Sequence, residues 1–166
     1  MVARTYKRRK QMIKLEHLLV ATDFSACSKE ALDHAVQLAQ KMNGRLTLLH
    51  VFESPFFYPA ETPLGNYPEV YQWLQDFKQE ELKNLDTLTN EIRKEGLPVE
   101  ALFKEGAPSV EILRTAKEIN ADLIVMGTHG RKGFSHVMMG SVAERVAREA
   151  PCPVFIVREK KGPEKR

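Results

Sequence analysis

Five short runs of aliphatic and β-branched residues, each separated from the next by a longer stretch, constrain this chain more than anything else in it. The runs occupy residues 17–21, 46–52, 99–103, 122–127 and 153–157. In the first intervening stretch, Ala31, Leu32, Ala35, Val36, Ala39 and Met42 recur at three- and four-residue steps, which predicts a helix over 28–42. Asn43–Gly44 stops it, as a pair tolerant of left-handed backbone should. Val70, Trp73, Leu74, Phe77, Leu85, Leu88 and Ile92 mark a long amphipathic helix, ended by Gly96 and Pro98. A third helix is expected from the Gly106–Ala107–Pro108–Ser109 segment through Ile119, with Ser109 as its N-cap, and a fourth over 141–149. Strand–helix alternation with single crossovers predicts one α/β domain: an open parallel sheet with helices on both faces. The run 122–127 is apolar throughout and reads as a strand buried on both sides. The partial alternation of 99–103 reads as an edge strand.

Length and composition agree. A chain of 166 residues with 43% hydrophobic and 28% charged residues suits one globular domain with tails. Collagen-like, wholly disordered and membrane-spanning classes are excluded, since no window nears the ~18 apolar residues of a span. The net charge of +3 is unevenly spread. Residues 1–14 carry six Lys/Arg and no acid, and residues 158–166 are also basic, whereas 15–157 is net −6. The chain therefore divides into a basic tail over 1–14, a domain over 15–158 and a charged tail over 159–166. The tails read as solvated ends, and nucleic-acid binding through them is not expected. The two cysteines, Cys27 and Cys152, lie far apart, and no secretory pattern precedes the domain, so a reducing cytoplasm is the expected compartment.

In a parallel sheet, ligands bind beyond the carboxyl ends of the strands, where strand order reverses. That directs attention to Asp23, Val51 and Gly127. After Gly127 the chain runs through Thr128, His129, Gly130, Arg131, Lys132 and Gly133 to Gly140–Ser141, where the last helix begins. Glycines at such a place let backbone N–H groups approach a ligand, and a helix start adds free donors and the positive end of a dipole. Phosphate oxygens suit those donors, at roughly 0.3–1 kcal/mol per favourable contact. Arg131 and Lys132 are either the cationic side of the same pocket or solvated loop charges. Asp23 is either a ligand-facing carboxylate or a local turn residue. Ser25 and Ser28 compete to cap the first helix. His50 reads as a core or rim histidine. His129 and His136 lack the spacing and partners of a metal site, so no protein-held metal is expected. Cys27, near a helix start, is either reactive or inert; Cys152, between two prolines, reads as structural.

The pattern Gly-x2-Gly-x9-Gly-Ser, filled by Gly127, Gly130, Gly140 and Ser141, resembles the nucleotide-binding signature of the universal stress protein family. Ala21–Thr22–Asp23–Phe24–Ser25 is similar to the family's opening motif, Leu49–His50–Val51 to its second strand, Gly106–Ala107–Pro108 to the segment before its third helix, and residues 152–157 to its closing strand. The resemblance spans about 15–158. It implies a five-stranded parallel sheet in the order 3-2-1-4-5, a Rossmann-like arrangement akin to the adenine nucleotide alpha hydrolases. It also implies membership of the ATP-binding subgroup. Thr22, Asp23 and Val51 would then lie toward the adenosine, Gly127 toward the ribose, and Gly130, Arg131, Gly140, Ser141 and Val142 toward the phosphates. Met126 and Thr128 would line the groove, and Mg²⁺ or Mn²⁺ would be held through the phosphates. The closing strand Val154–Val157 would pair with its copy in a homodimer. The function implied is that of a cytoplasmic, nucleotide-dependent regulator of stress response with an unidentified protein partner. The alternatives are a slow ATPase or nucleotide-transferring enzyme, and a chaperone-like protein indifferent to nucleotide. No general base stands out beside the phosphate loop, so no catalytic residue is assigned.

Overall fold

The computed structural model describes residues 15–53, 68–130 and 139–158. Along the chain lie β1 (His17–Thr22), α1 (Ala26–Met42), β2 (Arg45–Phe52), α2 (Pro68–Lys94), β3 (Val99–Glu105), α3 (Pro108–Glu118), β4 (Leu123–Gly127), α4 (Ser141–Glu149) and β5 (Val154–Val157). All neighbouring strands pair in parallel, in the order β3-β2-β1-β4-β5. This is the order that the resemblance implies. The chain turns back on itself between β1 and β4, and the register carries Leu18, Leu19 and Val20 opposite Leu123, Ile124 and Val125.

The period-two geometry of a strand splits each central run into two sets. Leu18, Val20, Leu46, Leu48, Leu123 and Val125 face α1 and α2, where they pack with Ala31, Leu32, Ala35, Val36, Leu85 and Ile92. Leu19, Leu49, Ile124 and Met126 face α3 and α4, and meet Ile112, Leu113, Ala116, Ala143 and Val146. That is why β1 and β4 read as unbroken apolar runs: both faces are covered. Each fully buried leucine or isoleucine contributes about 1.5–3 kcal/mol relative to exposure. β3, at one edge of the sheet, buries none of its residues fully.

Helix ends follow local chemistry. Ser25 caps α1, its Oγ accepting from the Ser28 amide, so the helix begins at Ala26, two residues before its expected start. Asn43 ends it in the left-handed conformation, with φ of 51°. The expected cap of α3 is corrected. Ala107 occupies the N-cap without a side-chain bond, Pro108 opens the helix, and Ser109 is buried in its first turn. A proline prefers the first helical position because its missing N–H costs nothing there, and that preference sets the start. Asp122 precedes β4 rather than opening it, and its Oδ2 accepts from the amides of Glu16 and His17, each at 2.9 Å.

Candidate nucleotide site at the strand carboxyl ends

β1 passes into α1 through a three-residue turn. Thr22 ends the strand with its side chain buried: its Oγ1 accepts from the Phe24 amide at 3.1 Å and lies 3.2 Å from Ser28 Oγ. Asp23 makes a local turn. Its Oδ1 accepts from the Ser25 amide at 3.1 Å and from Ser25 Oγ at 2.6 Å. Phe24 takes a φ of 64°, a backbone region that bulky residues rarely adopt. The turn role that the sequence offers for Asp23 is present in its two bonds with Ser25. A Cβ added at Gly130 would lie 2.7 Å from Asp23 Oδ2, so the carboxylate and the glycine loop face each other across 107 residues of sequence.

β4 delivers the glycines. At Gly127 a Cβ would meet Cys27 Sγ at 2.8 Å and the Cys27 carbonyl carbon at 3.1 Å; the glycine lets α1 sit directly against the strand end. Thr128 follows, buried, its amide donating to the Val157 carbonyl at 2.8 Å and its carbonyl accepting from the Gly140 amide at 2.8 Å. That second bond closes the loop between β4 and α4 over its two described ends. A Cβ at Gly140 would meet the Thr128 carbonyl oxygen at 3.0 Å, so the closure needs glycine-like clearance. Gly140 is the N-cap of α4 and carries no side-chain cap, leaving first-turn amides of the helix for another acceptor. Ser141 is exposed and Val142 half-buried at that terminus.

The other expected site residues are distributed around this rim. Met126 is buried in the core on the α3–α4 side, and half-buried Val51 packs against the same cluster. Arg131, like Lys132 and His136, lies outside the described residues. The structure therefore brings together Asp23, Gly127, Thr128, Gly130 and Gly140, with Ser141 at the uncapped helix end. Chemically this is an anion-accepting rim with one carboxylate opposite it, and it offers backbone approach where side chains would obstruct.

A family model described as the universal stress protein family matches residues 14–158. The chain belongs to the universal stress protein family. A universal stress protein of Bacillus subtilis strain 168, YxiE, is 37% identical over 144 residues, covering 85% of this chain and 97% of its own. Among solved structures, the universal stress protein UspA from Lactobacillus plantarum superposes with a TM-score of 0.75 at 26% identity, over 87% of this chain and 99% of its own. A universal stress protein solved in complex with cAMP gives a TM-score of 0.60 at 27% identity, over 87% and 98%.

Within this universal stress protein domain, the contacts of Cys27 and His50 near the rim leave no sequence signal. Cys27 is only 6% exposed and its Sγ donates to the Val157 carbonyl at 3.3 Å, tying α1 to the end of β5. His50 is indeed a core histidine, but its ring is spent on specific partners. One nitrogen, Nδ1, lies 2.8 Å from the Thr22 carbonyl and the other, Nε2, 2.6 Å from Glu81 Oε2 on α2. A partner 31 residues away on another element leaves no spacing to read. Cys152 is half-buried, and desolvation raises its thiol pKa above the ordinary value. Among the described residues, no group of three or more His, Cys, Asp or Glu is arranged to hold a metal. Among them, too, no helix is long and apolar enough to cross a membrane.

Proposed function

We propose that this universal stress protein belongs to the ATP-binding subgroup and binds an adenine nucleotide at the carboxyl edge of β1 and β4. In this reading it works as a cytoplasmic, nucleotide-dependent regulator in stress response. The observation that carries the reading is the facing of Asp23 and Gly130 beside the uncapped N-terminus of α4 at Gly140. The residues present fit a nucleotide. Gly130 and Gly140 let the loop ends close against Asp23 and the Thr128 carbonyl, which a Cβ would prevent, and the first turn of α4 has donors for phosphate oxygens. ATP would bring a polyanionic chain able to carry Mg²⁺ or Mn²⁺ through its own oxygens. Gly130, Arg131, Gly140, Ser141 and Val142 would receive that chain, with Thr22, Asp23, Val51, Met126, Gly127 and Thr128 around the nucleoside. The relative solved with cAMP supports an adenine nucleotide as the ligand class.

β5 supports a dimer in the same reading. It pairs with β4 on one side and lies at the end of the sheet, with Phe155 42% exposed. An apolar edge strand invites a second copy, and a two-fold strand pairing is self-complementary. The basic tails over 1–14 and 159–166 would flank this domain.

Thermal unfolding with and without Mg-ATP tests the nucleotide reading. Ligand at 100 times its dissociation constant adds about 2.7 kcal/mol. For a domain of this size that raises Tm by roughly 5–10 °C. The rise should vanish in Gly130→Glu, whose side chain would enter the space before Asp23. No rise at saturating nucleotide would leave the nucleotide-independent interaction protein as the better reading, and turnover lost in the same variant would favour the slow ATPase.

A further inference from the structure

We propose that His50 and Glu81 are positioning residues for the nucleotide site: together they tie α2 to the β1–α1 turn and set the direction of Asp23. The proposal rests on the nucleotide reading above and names a determinant outside the glycine loop. A carbonyl can only accept, so His50 Nδ1 carries a proton and donates it to the Thr22 carbonyl at 2.8 Å. The opposite nitrogen meets Glu81 Oε2 at 2.6 Å. The two residues are 3% and 4% exposed. A polar chain therefore runs from α2, through the ring, to the last residue of β1.

The ring faces are engaged as well. Phe24 packs on His50 with centroids 4.5 Å apart and a 30° tilt, and Phe103 packs on it at 5.5 Å and 48°. Phe24 is the residue held at a φ of 64°. His50 thus grips both neighbours of Asp23: Thr22 through its carbonyl and Phe24 through its ring. With both flanks held, the Asp23 backbone is set, and from it Oδ1 accepts from Ser25 while Oδ2 lies toward Gly130.

Burial alone does not account for the choice of residues. A buried His–Glu pair gains little stability over apolar side chains of the same volume, whereas unfavourable backbone conformations held by their surroundings gather at ligand sites. The pair stabilises a turn conformation that Phe24 would not keep unaided. The clamp should therefore matter less when residue 24 tolerates the left-handed region by itself, as asparagine does.

A double-mutant cycle reads this out. Mg-ATP affinity is measured by titration calorimetry for the wild type, His50→Asn, Phe24→Asn and the double variant, with circular dichroism confirming that each is folded. His50→Asn should weaken binding roughly tenfold in the wild-type background and threefold or less in the Phe24→Asn background, a coupling of the size seen for residues in contact. Glu81→Leu, which removes the oxygen that meets Nε2 at similar volume, gives a second variant should His50→Asn fail to fold; its loss should likewise shrink in the Phe24→Asn background. Equal losses in both backgrounds would make the pair merely structural and overturn the proposal while leaving the nucleotide reading intact. A wild type that binds no ATP would overturn both.

Discussion

The two ends of the sheet are built by opposite rules. At the amino ends of the strands, polar groups find partners within the chain. Asp122 receives the amides of Glu16 and His17, the Asp122 amide donates to the His17 carbonyl, and the Arg45 amide donates to Glu16. His17 itself sits between Thr47 and Arg45. A guanidinium can only donate, so its bond to His17 Nδ1 at 3.2 Å makes that nitrogen an acceptor; Nε2 then carries the proton and donates to Thr47 Oγ1 at 2.8 Å. At the carboxyl ends the chain instead leaves the start of α4 without a side-chain cap and holds Phe24 in an unfavourable conformation. Each end has a buried strand histidine. His17 closes a self-satisfied cluster, and His50 reaches the turn that carries Asp23. The amino ends use left-handed backbone too, but at Asn43 and Asn120, a residue type that tolerates it; only the carboxyl ends hold a phenylalanine there beside an uncapped helix start, and that combination marks the place for a ligand.

The contrast can be broken by substitution. The largest effect is expected from Gly127→Ala, whose Cβ would collide with both the side chain and the backbone of Cys27. It should cost about 2–3 kcal/mol in urea unfolding, as overpacking does. A cost near zero would mean that α1 can withdraw from β4 and that the rim is not rigid. Next comes Asp122→Ala at the opposite end, which deprives two amides of a charged acceptor. A loss of about 2 kcal/mol is expected, with nucleotide affinity unchanged; a matching loss of affinity would contradict the separation of the two ends.

The smallest effect is a pH dependence belonging to the amino end. Burial, and then the positive charge of Arg45, hold the His17 pKa below its ordinary value near 6.5. The unfolded chain therefore takes up the proton first. The stability that His17 contributes is complete above the unfolded value and is lost as pH falls below it toward the folded value. The difference in unfolding free energy between wild type and His17→Gln should shrink as pH falls from 7.5 to 5. Parallel pH profiles for the two proteins would show that His17 is not held neutral.

Much of this was legible in the sequence, and the reasons differ by element. Periodicity located every strand and helix to within a few residues, because two-sided burial of β1 and β4 and the apolar stripes of α1 and α2 are written into consecutive or three- and four-spaced residues. The start of α3 departs from the serine cap that the sequence suggests, because Pro108 fixes the first turn one residue ahead of Ser109. The glycines of the rim stand out locally, since they cluster after a buried strand. What Gly127 and Gly130 make room for was not legible, because Cys27 and Asp23 come from the other side of the switch point. The His50–Glu81 contact and the strain at Phe24 are likewise properties of assembled elements.

The most direct test of a nucleotide site at the strand carboxyl ends is an amide proton–nitrogen correlation map of the protein, recorded as Mg-ATP is added. Shifts are expected at Asp23, Gly127, Thr128, Gly130, Gly140, Ser141 and Val142, with the amides of His17, Gly44, Arg45 and Asp122 unmoved. Shifts centred on the amino ends, or none at millimolar nucleotide, would contradict it.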